Sequence, residues 1–159
     1  MMRIVRTDST NPDFIDLVQH LDADLAERDG EDHSFYAKFN TVDKLKNVIL
    51  VYEGNKPAGC GAMKQFAPGV MEIKRMYTPV ESRGHGIATR VLEELEIWAK
   101  ELEYEKCVLE TGKRQPEAIA LYRKNGYRSI PNYGQYAQME NSLCFQKELT
   151  AFMPNTTLP

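Results

Sequence analysis

The sequence predicts an α/β (α+β) protein with a mixed, mostly antiparallel sheet flanked by helices, and two observations support this. Apolar strand-like runs alternate with stretches of helical periodicity along the 159 residues. The first strands also follow one another through short turns, which favours antiparallel pairing. Because a chain of this length fits one domain, we expect a single domain over residues 1–149 and a loose tail over 150–159.

The elements of the first half have local signals. A short strand is expected over Arg3–Thr7. Asn11 and Pro12 mark a helix start, since asparagine caps free N–H groups and proline fits the first turn. Apolar residues at helical spacing carry this helix to Gly30, and a second short helix is expected from His33 to Asn40. Three apolar runs separated by glycine-containing turns then predict strands over Asn47–Glu53, Ala58–Phe66 and Val70–Thr78.

The second half alternates helices and strands. A long helix with an apolar stripe follows the Arg83–Gly86 turn, and Lys106–Thr111 has the pattern of the next strand. A short helix is expected from Pro116 to Gly126, since proline favours the first turn of a helix and glycine its end. Two last strands, joined by a tyrosine-rich loop, are expected over Tyr127–Ile130 and Ser142–Lys147.

Composition excludes several classes of protein. The formal net charge of −3 argues against a protein that binds nucleic acid or a membrane surface. No apolar run approaches a membrane span, and the N-terminus lacks the pattern of a signal peptide, so we expect a cytoplasmic protein. The three histidines and three cysteines lack metal-ligand spacing, so no metal is expected, and the cysteines are interpreted as buried, reduced thiols.

The Arg83-Gly84-His85-Gly86 turn is the most informative segment. A helix N-terminus has unpaired N–H groups and partial positive charge, so it binds anions such as a pyrophosphate. Glycines let the backbone approach the phosphates, and Arg83 adds charge beside them. The turn matches neither a P-loop nor a dinucleotide-binding fingerprint. Taken alone, it leaves an anion site and a purely structural turn equally open.

Three segments, in order along the chain, together resemble the GNAT superfamily of N-acetyltransferases. Arg83–Ala88 resembles its Gln/Arg-x-x-Gly-x-Gly/Ala signature. Ala118–Tyr127 looks like its Ala-x-x-Leu-Tyr-x-x-x-Gly-Phe segment, with tyrosine in the last place. Glu72–Tyr77 looks like its fourth strand, and the resemblance covers roughly Arg3 to Leu149.

The resemblance implies a GNAT-like sheet whose fourth and fifth strands splay apart, with acetyl-CoA as co-substrate. The pantetheine arm then lies in the splay, the pyrophosphate lies on the helix N-terminus, and main-chain groups near the acyl carbonyl form an oxyanion hole. The residues implied are Met76, Tyr77 and Thr78 near the acyl group, Arg83, Gly84, His85, Gly86, Ile87, Ala88 and Thr89 around the pyrophosphate, and Gln115 and Tyr122 beside the pantetheine arm.

Two residues are candidates for the chemistry of an N-acetyltransferase. Tyr122 is the candidate general acid, because a phenol near the sulfur can protonate a departing thiolate. Glu72 is the candidate general base, acting directly or through a water, because an ammonium must lose a proton before it attacks a thioester. A covalent acetyl-cysteine on Cys107 is the less favoured route, since its apolar neighbours indicate an unreactive thiol.

The acceptor is expected to be the primary amine of a small molecule, such as an amino acid or a polyamine. Lys74 shares a strand face with Glu72 by the two-residue period, and Arg75 is expected on the opposite face. Either cation is a candidate clamp for a substrate carboxylate, although a solvated charge is the commoner role. Glu110 and Thr111, at the end of the fifth strand, are further candidates for the acceptor site.

Two more segments are candidates near the acceptor. The first helix carries an acidic cluster, formed by Asp22, Asp24, Glu27 and Asp29. The favoured interpretation is a solvated face, and the alternative is that the cluster attracts a cationic amine. The loop Pro131–Tyr136 is read equally as a lid over the acceptor and as a packed connection.

Other functions remain open at this stage. One is an acyl-CoA-binding sensor or regulatory module without turnover, and another is a protein or peptide N-acetyltransferase. A nucleotide-binding protein that uses the same turn is a third. The sequence also leaves monomer and homodimer open.

Overall fold

Strands and helices follow the predicted order in the computed structural model, which describes residues 1–30 and 44–149. The strands are β1 (Met2–Thr7), β2 (Asn47–Glu53), β3 (Lys56–Ala67), β4 (Val70–Tyr77), β5 (Lys106–Gly112), β6 (Arg128–Ile130) and β7 (Ser142–Glu148). The helices are α1 (Pro12–Asp29), α2 (Ile87–Glu101) and α3 (Pro116–Lys124). The helix predicted over His33–Asn40 and the tail predicted over 150–159 lie outside the described residues.

The strands join in a seven-stranded sheet with the order β1-β2-β3-β4-β5-β7-β6. Neighbours β4 and β5 run parallel, and every other neighbouring pair is antiparallel. The parallel pair is the one whose connection contains the long helix α2, as a crossover between parallel strands requires. The prediction of a mixed, mostly antiparallel sheet is therefore confirmed.

Helices α1 and α2 cover opposite faces of the sheet. Strand β2 shows this by alternation: Val48 and Leu50 belong to the core under α1, whereas Ile49 and Val51 belong to the core under α2. Helix α1 begins as predicted, because the Asn11 side chain accepts a hydrogen bond from the backbone N–H of Asp13 at 2.9 Å. Within residues 1–30 and 44–149, no helix is long and apolar enough to cross a membrane.

The splay between β4 and β5 is present. The two strands pair only over Val70–Glu72 and Lys106–Val108. Beyond these residues β4 stays with β3, up to the pair of Tyr77 with Cys60, and β5 stays with β7 to its end. Each strand therefore follows its outer neighbour, and a gap opens between them toward their C-terminal ends.

A β-bulge in β4 shapes one wall of this gap. Ala62 pairs with Lys74 and Cys60 with Tyr77, so Gly61 of β3 faces two residues of β4, Arg75 and Met76. Arg75 takes a left-handed φ of 61°, which is uncommon for a residue with a side chain. The prediction that Arg75 lies on the face opposite Lys74 is wrong, because the extra residue breaks the two-residue period and turns Arg75 toward Asp22 of α1.

Gly61 allows α2 and the bulge to approach each other closely. A Cβ atom there would lie 2.6 Å from the sulfur of Met76 and 2.7 Å from a methyl group of Val91. We expect Gly61→Ala to lower the free energy of unfolding by about 1–3 kcal/mol, the usual effect of overpacking, as measured by urea denaturation. Lys64→Ala, on the exposed part of the same strand, should change it by less than about 0.5 kcal/mol. Equal stabilities of the two variants would contradict this account.

Candidate active site

A groove runs from the C-terminal end of β4 past the N-terminus of α2 to α3. We call it the helix groove. The predicted residues that line it are Met76, Tyr77, Thr78, Arg83, Gly84, Gly86, Ile87, Ala88, Thr89, Gln115 and Tyr122. The residues that line it without having been singled out as ligand contacts are Leu21, Asp24, Arg28, Ser82, Glu117, Ala118 and Leu121.

The glycine turn gives this groove a wall of backbone. Gly84 and Gly86 have φ values of 85° and 78°, in the left-handed region that glycine adopts without strain. A Cβ atom at either position would meet no atom within 4 Å, so these glycines leave open space beside the chain. The first intrahelical bond joins the Arg90 N–H to the Gly86 carbonyl at 3.1 Å. The N–H groups before Arg90 therefore lack intrahelical acceptors, which is the arrangement that binds anions.

The side chains of Arg83 and His85 point to different parts of the protein, Arg83 to the groove and His85 to β2. The Arg83 Nε–H donates to the Thr78 carbonyl at 2.8 Å, which fixes the guanidinium beside the groove. The His85 Nδ1 lies instead 3.2 Å from a carboxylate oxygen of Glu53 in β2. His85 is thus the one residue predicted near the pyrophosphate that the structure does not bring into the lining of the groove.

A second cavity lies in the gap between β4 and β5, and we call it the strand cavity. The predicted base Glu72 and the predicted substrate residues Lys74, Glu110 and Thr111 line it, whereas Asp22 and Asp24 of the acidic cluster do not. The other lining residues are Leu21, Leu25, Ile73, Arg75, Met76, Gly112, Gln115, Tyr122 and Tyr136. Leu21, Met76, Gln115 and Tyr122 line both the cavity and the groove. The two spaces therefore meet at these four residues.

Glu72 is held in place by contacts with two side chains. Its carboxylate is buried, with 6% of the residue exposed. The Tyr133 hydroxyl donates to Oε2 at 2.8 Å, and the Lys74 Nζ lies 3.9 Å from Oε1. Burial, together with the charge of Glu72, raises the pKa of Tyr133, so this hydroxyl stays protonated and keeps donating. Burial lowers the pKa of Lys74, against the opposing effect of Glu72.

The loop that carries Tyr133 lies against this cavity. The Tyr133 ring packs edge-on against Phe66, at 4.8 Å between ring centroids, and against Tyr136, at 5.9 Å. Tyr136 is buried and lines the cavity. The contacts of Pro131–Tyr136 agree with a packed connection, one of the two interpretations of this loop. Through Tyr136 and Tyr133 the loop also lines the cavity and orients Glu72.

Arg75, a residue of the cavity lining, has a guanidinium that is almost completely buried. Its side chain is only 1% exposed, and its Nη2 lies 2.8 Å from Asp22 Oδ1. Its Nε and Nη1 atoms have no hydrogen-bond partner among residues 1–30 and 44–149. A buried donor left without an acceptor costs about 1–3 kcal/mol, and more when it is charged, so the native state tolerates a local destabilisation here.

Tyr122 lies at the junction of the two spaces. Its ring packs against Tyr127 at 5.9 Å and Phe145 at 6.2 Å between centroids, which fixes it on the groove side of α3. Burial, reinforced by the negative charge of Glu110, raises the pKa of Tyr122. The hydroxyl is therefore protonated at neutral pH, as a proton donor must be before it acts.

Two members of the acidic cluster of α1, Asp22 and Asp24, form ion pairs. Asp22 pairs with Arg75, and Asp24 lies 3.4 Å from Arg28 Nε. Arg28 also forms a two-pronged ion pair with Glu117 of α3, one prong of which joins Nη2 to Oε2 at 3.2 Å. Arg28 and Glu117 both line the helix groove. The four-residue spacing of Asp24 and Arg28 is a signal that sequence reasoning could have used, whereas no local pattern joins Arg28 to Glu117.

The cysteines are buried and free, as predicted: Cys60, Cys107 and Cys144. Burial raises the pKa of Cys107 to about 12, and the same effect holds for Cys60. Thiols of this kind are poor nucleophiles at neutral pH. None of the three lines the groove or the cavity.

Comparisons with known proteins agree with this geometry. Residues 11–127 match the model of the acetyltransferase (GNAT) family. The IAA acetyltransferase of Azospirillum brasilense is 30% identical over 148 residues, which are 92% of this chain and 97% of that protein.

Solved structures share the fold. A chain from Klebsiella pneumoniae named as an acyl-CoA N-acyltransferase is 27% identical, with a TM-score of 0.79, over 94% of this chain and 98% of that chain. A GNAT family acetyltransferase from Elizabethkingia anophelis with acetyl-CoA bound is 18% identical, with a TM-score of 0.65, over 92% and 97%. Since the family model spans both sides of the strand gap and the glycine turn, this chain is an acyltransferase that belongs to the acetyltransferase (GNAT) family.

Proposed function

We propose that this acetyltransferase moves the acetyl group of acetyl-CoA to the primary amine of a small molecule. The observation that carries the proposal is the meeting of two spaces at Tyr122. One of them has an anion-binding helix N-terminus, and the other has a buried carboxylate. A donor in the first space and an amine in the second would place the acyl group and the nucleophile side by side, which is the main requirement of a direct transfer.

The helix groove suits acetyl-CoA as the acyl donor. The backbone of Gly84–Thr89 would hold the pyrophosphate, with the Arg83 guanidinium beside it. The pantetheine arm would follow the groove to the mouth of the gap between β4 and β5, where Gln115, which lines both spaces, offers an amide to its amide groups. The amine would occupy the rest of the strand cavity. Backbone N–H groups near Met76–Thr78 would face the acyl oxygen. What acetyl-CoA supplies is an acyl group activated as a thioester.

Glu72 and Tyr122 would divide the proton transfers. Glu72 accepts a proton from the ammonium, directly or through a water, and the free amine nitrogen forms a bond to the acyl carbon. When the bond between that carbon and sulfur breaks, Tyr122 donates its hydroxyl proton to the thiolate. The second proton of the attacking nitrogen replaces the one that Tyr122 gave. The products are an amide, free CoA and the proton on Glu72, which returns to solvent.

Direct attack is favoured over a covalent enzyme intermediate. A relay through Cys107 would need a thiolate close to the thioester. The pKa of that thiol is raised by burial, and the residue lines neither space. Glu72, in contrast, lines the strand cavity in a fixed orientation set by Tyr133.

Binding of acetyl-CoA is the first test of this proposal. Acetyl-CoA at a hundredfold excess over its Kd should stabilise the protein by about 2.7 kcal/mol, measured as a rise in Tm. Gly86→Glu should abolish the rise, because it places a carboxylate where the pyrophosphate would bind. Gly54→Glu is the matched control: Gly54 also has a left-handed φ, of 62°, and open space around it, but lies in the β2–β3 turn outside the groove lining.

The control variant should keep the full rise in Tm. If acetyl-CoA does not stabilise the unmodified protein, or stabilises Gly86→Glu equally well, the groove does not bind the acyl donor and the proposal is wrong.

A further inference from the structure

Lys74 brings an amine of the protein itself into the strand cavity. Its side chain lines the cavity and is 9% exposed, whereas that of Arg75 is 1% exposed. The exposed part of the Lys74 side chain therefore opens into the cavity. Its Nζ lies 3.9 Å from Oε1 of Glu72, which is close enough for a charge interaction but longer than a hydrogen bond. The nitrogen thus lies near the carboxylate without being fixed to it.

The position of Lys74 on β4 lies between the two groups that an acetyl transfer would use. Glu72 precedes it by two residues and Met76 follows it by two, and all three residues line the cavity. In the proposed function, Glu72 takes a proton from an ammonium, and backbone N–H groups near Met76–Thr78 face the acyl oxygen. A lysine side chain can extend its nitrogen roughly 6 Å from Cα, about the rise of two residues in a strand. The nitrogen can therefore reach toward the carboxylate and toward the thioester.

The surroundings of Lys74 favour the free amine more than water does. Burial lowers the pKa of Lys74 and is the largest influence on it. The carboxylates of Glu72 and Glu110, both in the cavity lining, act against this shift, whereas the cations Lys64 and Arg75 act with it. The fraction of Lys74 that is a free amine is therefore larger than for an exposed lysine, and the free amine is the form that attacks a thioester.

We infer that Lys74 is a self-modification site, whose amine takes the acetyl group when acetyl-CoA is bound and no acceptor occupies the cavity. An acceptor ammonium needs the place beside Glu72 where the Lys74 nitrogen lies, so the acceptor would compete with this reaction. The inference rests on the proposed function, because it uses the same donor, base and acid.

The chemistry balances in the same way as transfer to an acceptor. Glu72 takes a proton from the Lys74 ammonium, and the free Nζ forms a bond to the acyl carbon. The bond between that carbon and sulfur breaks, and Tyr122 donates its hydroxyl proton to the thiolate. The second proton of Nζ replaces the one that Tyr122 gave. The products are the neutral acetyl amide of Lys74, free CoA and the proton on Glu72, which returns to solvent.

The experiment incubates the unmodified protein with acetyl-CoA that carries an isotope-labelled acetyl group, without added amine, and follows each lysine by peptide mass spectrometry. Lys64 is the matched control, because it pairs with Glu72 across β3 and β4 but is exposed and lines neither space. Transfer within a site has a high effective concentration of the amine, so Lys74 should be acetylated about 100-fold or more faster than Lys64. The rate constant for Lys74 should saturate with acetyl-CoA and should not change with protein concentration.

Variants assign the acetylation of Lys74 to the proposed catalytic groups. Glu72→Gln and Tyr122→Phe should each slow it about 100-fold or more at neutral pH. Glu96→Gln and Tyr127→Phe are the controls, since both residues are buried but line neither space, and they should leave the rate unchanged. The comparison of Lys74 with Lys64 needs no variant, so it decides the matter even if a variant does not fold.

The outcomes separate this inference from the proposed function. Acetylation of Lys74 no faster than that of Lys64, a rate constant that rises with protein concentration, or a rate unaffected by both Glu72→Gln and Tyr122→Phe would overturn the inference. If acetyl-CoA raises the Tm of the same samples while Lys74 stays unlabelled, the inference alone falls and the proposed donor site stands. If acetyl-CoA does not raise the Tm, the proposed function and the inference fall together.

Discussion

Replacing Tyr122 with phenylalanine should lower kcat about 10²- to 10⁴-fold, the usual contribution of a positioned general acid. KM for acetyl-CoA should change little, because the ring and its packing against Tyr127 and Phe145 are kept. The physical reason is that phenylalanine lacks the hydroxyl proton that would go to the departing thiolate. Steady-state release of the thiol, with acetyl-CoA and a substrate amine, measures the effect.

Tyr127→Phe is the matched control for this experiment. Tyr127 is also buried, and its ring packs against that of Tyr122, but its hydroxyl donates to Glu96 at 2.9 Å and it lines neither space. Removal of the Tyr127 hydroxyl should lower the free energy of unfolding with little effect on kcat. A Tyr122→Phe variant with nearly full activity would show that the thiolate departs without help from this residue.

Glu72→Gln should have an effect of similar size, about 10²- to 10⁴-fold on kcat/KM at neutral pH. Glutamine can still accept the hydrogen bond of Tyr133 but cannot take up the ammonium proton. The variant should regain activity as the pH rises, since a growing fraction of the amine then loses its proton in solution. The measurement is the pH profile of kcat/KM for both proteins, which should converge at alkaline pH.

The chain offers a close control for Glu72 as well. Glu96 is buried to a similar degree, accepts a hydrogen bond from Tyr127, and lies 2.9 Å from Lys147, but it lines neither the groove nor the cavity. Glu96→Gln should leave the pH profile unchanged. If Glu72→Gln lowers activity equally at every pH, Glu72 positions the site and does not act as the base.

Local sequence signals predicted most of the fold. Alternation of apolar residues, glycine turns and the cap at Asn11 were sufficient for the order of the elements, because these signals act within a few residues. The bulge at Arg75 was not predictable in this way. The bulge depends on the neighbouring strand β3, where Gly61 lies opposite two residues of β4. The prediction of the face on which Arg75 lies was wrong for that reason.

The site was predicted unevenly for the same physical reason. The glycine turn is a local pattern, and the residues assigned to it, apart from His85, line the helix groove. The side-chain pairs that shape the site join distant parts of the chain. Tyr133 to Glu72 and Arg28 to Glu117 are examples. Such pairs depend on how elements dock, which no spacing within one element reveals.

Because β4 and β5 separate in the middle of the sheet, each of them has an unpaired edge that faces the gap. Past Glu72 and Val108 the facing N–H and C=O groups of these strands do not pair with each other in the described chain, and strand edges of this kind accept extended partners. A donor bound there would be recognised largely by backbone, as an additional strand is. Side chains along the gap could then diverge and alter the choice of acceptor, while the proposed acyl-donor site, which would be built largely from main chain, is retained.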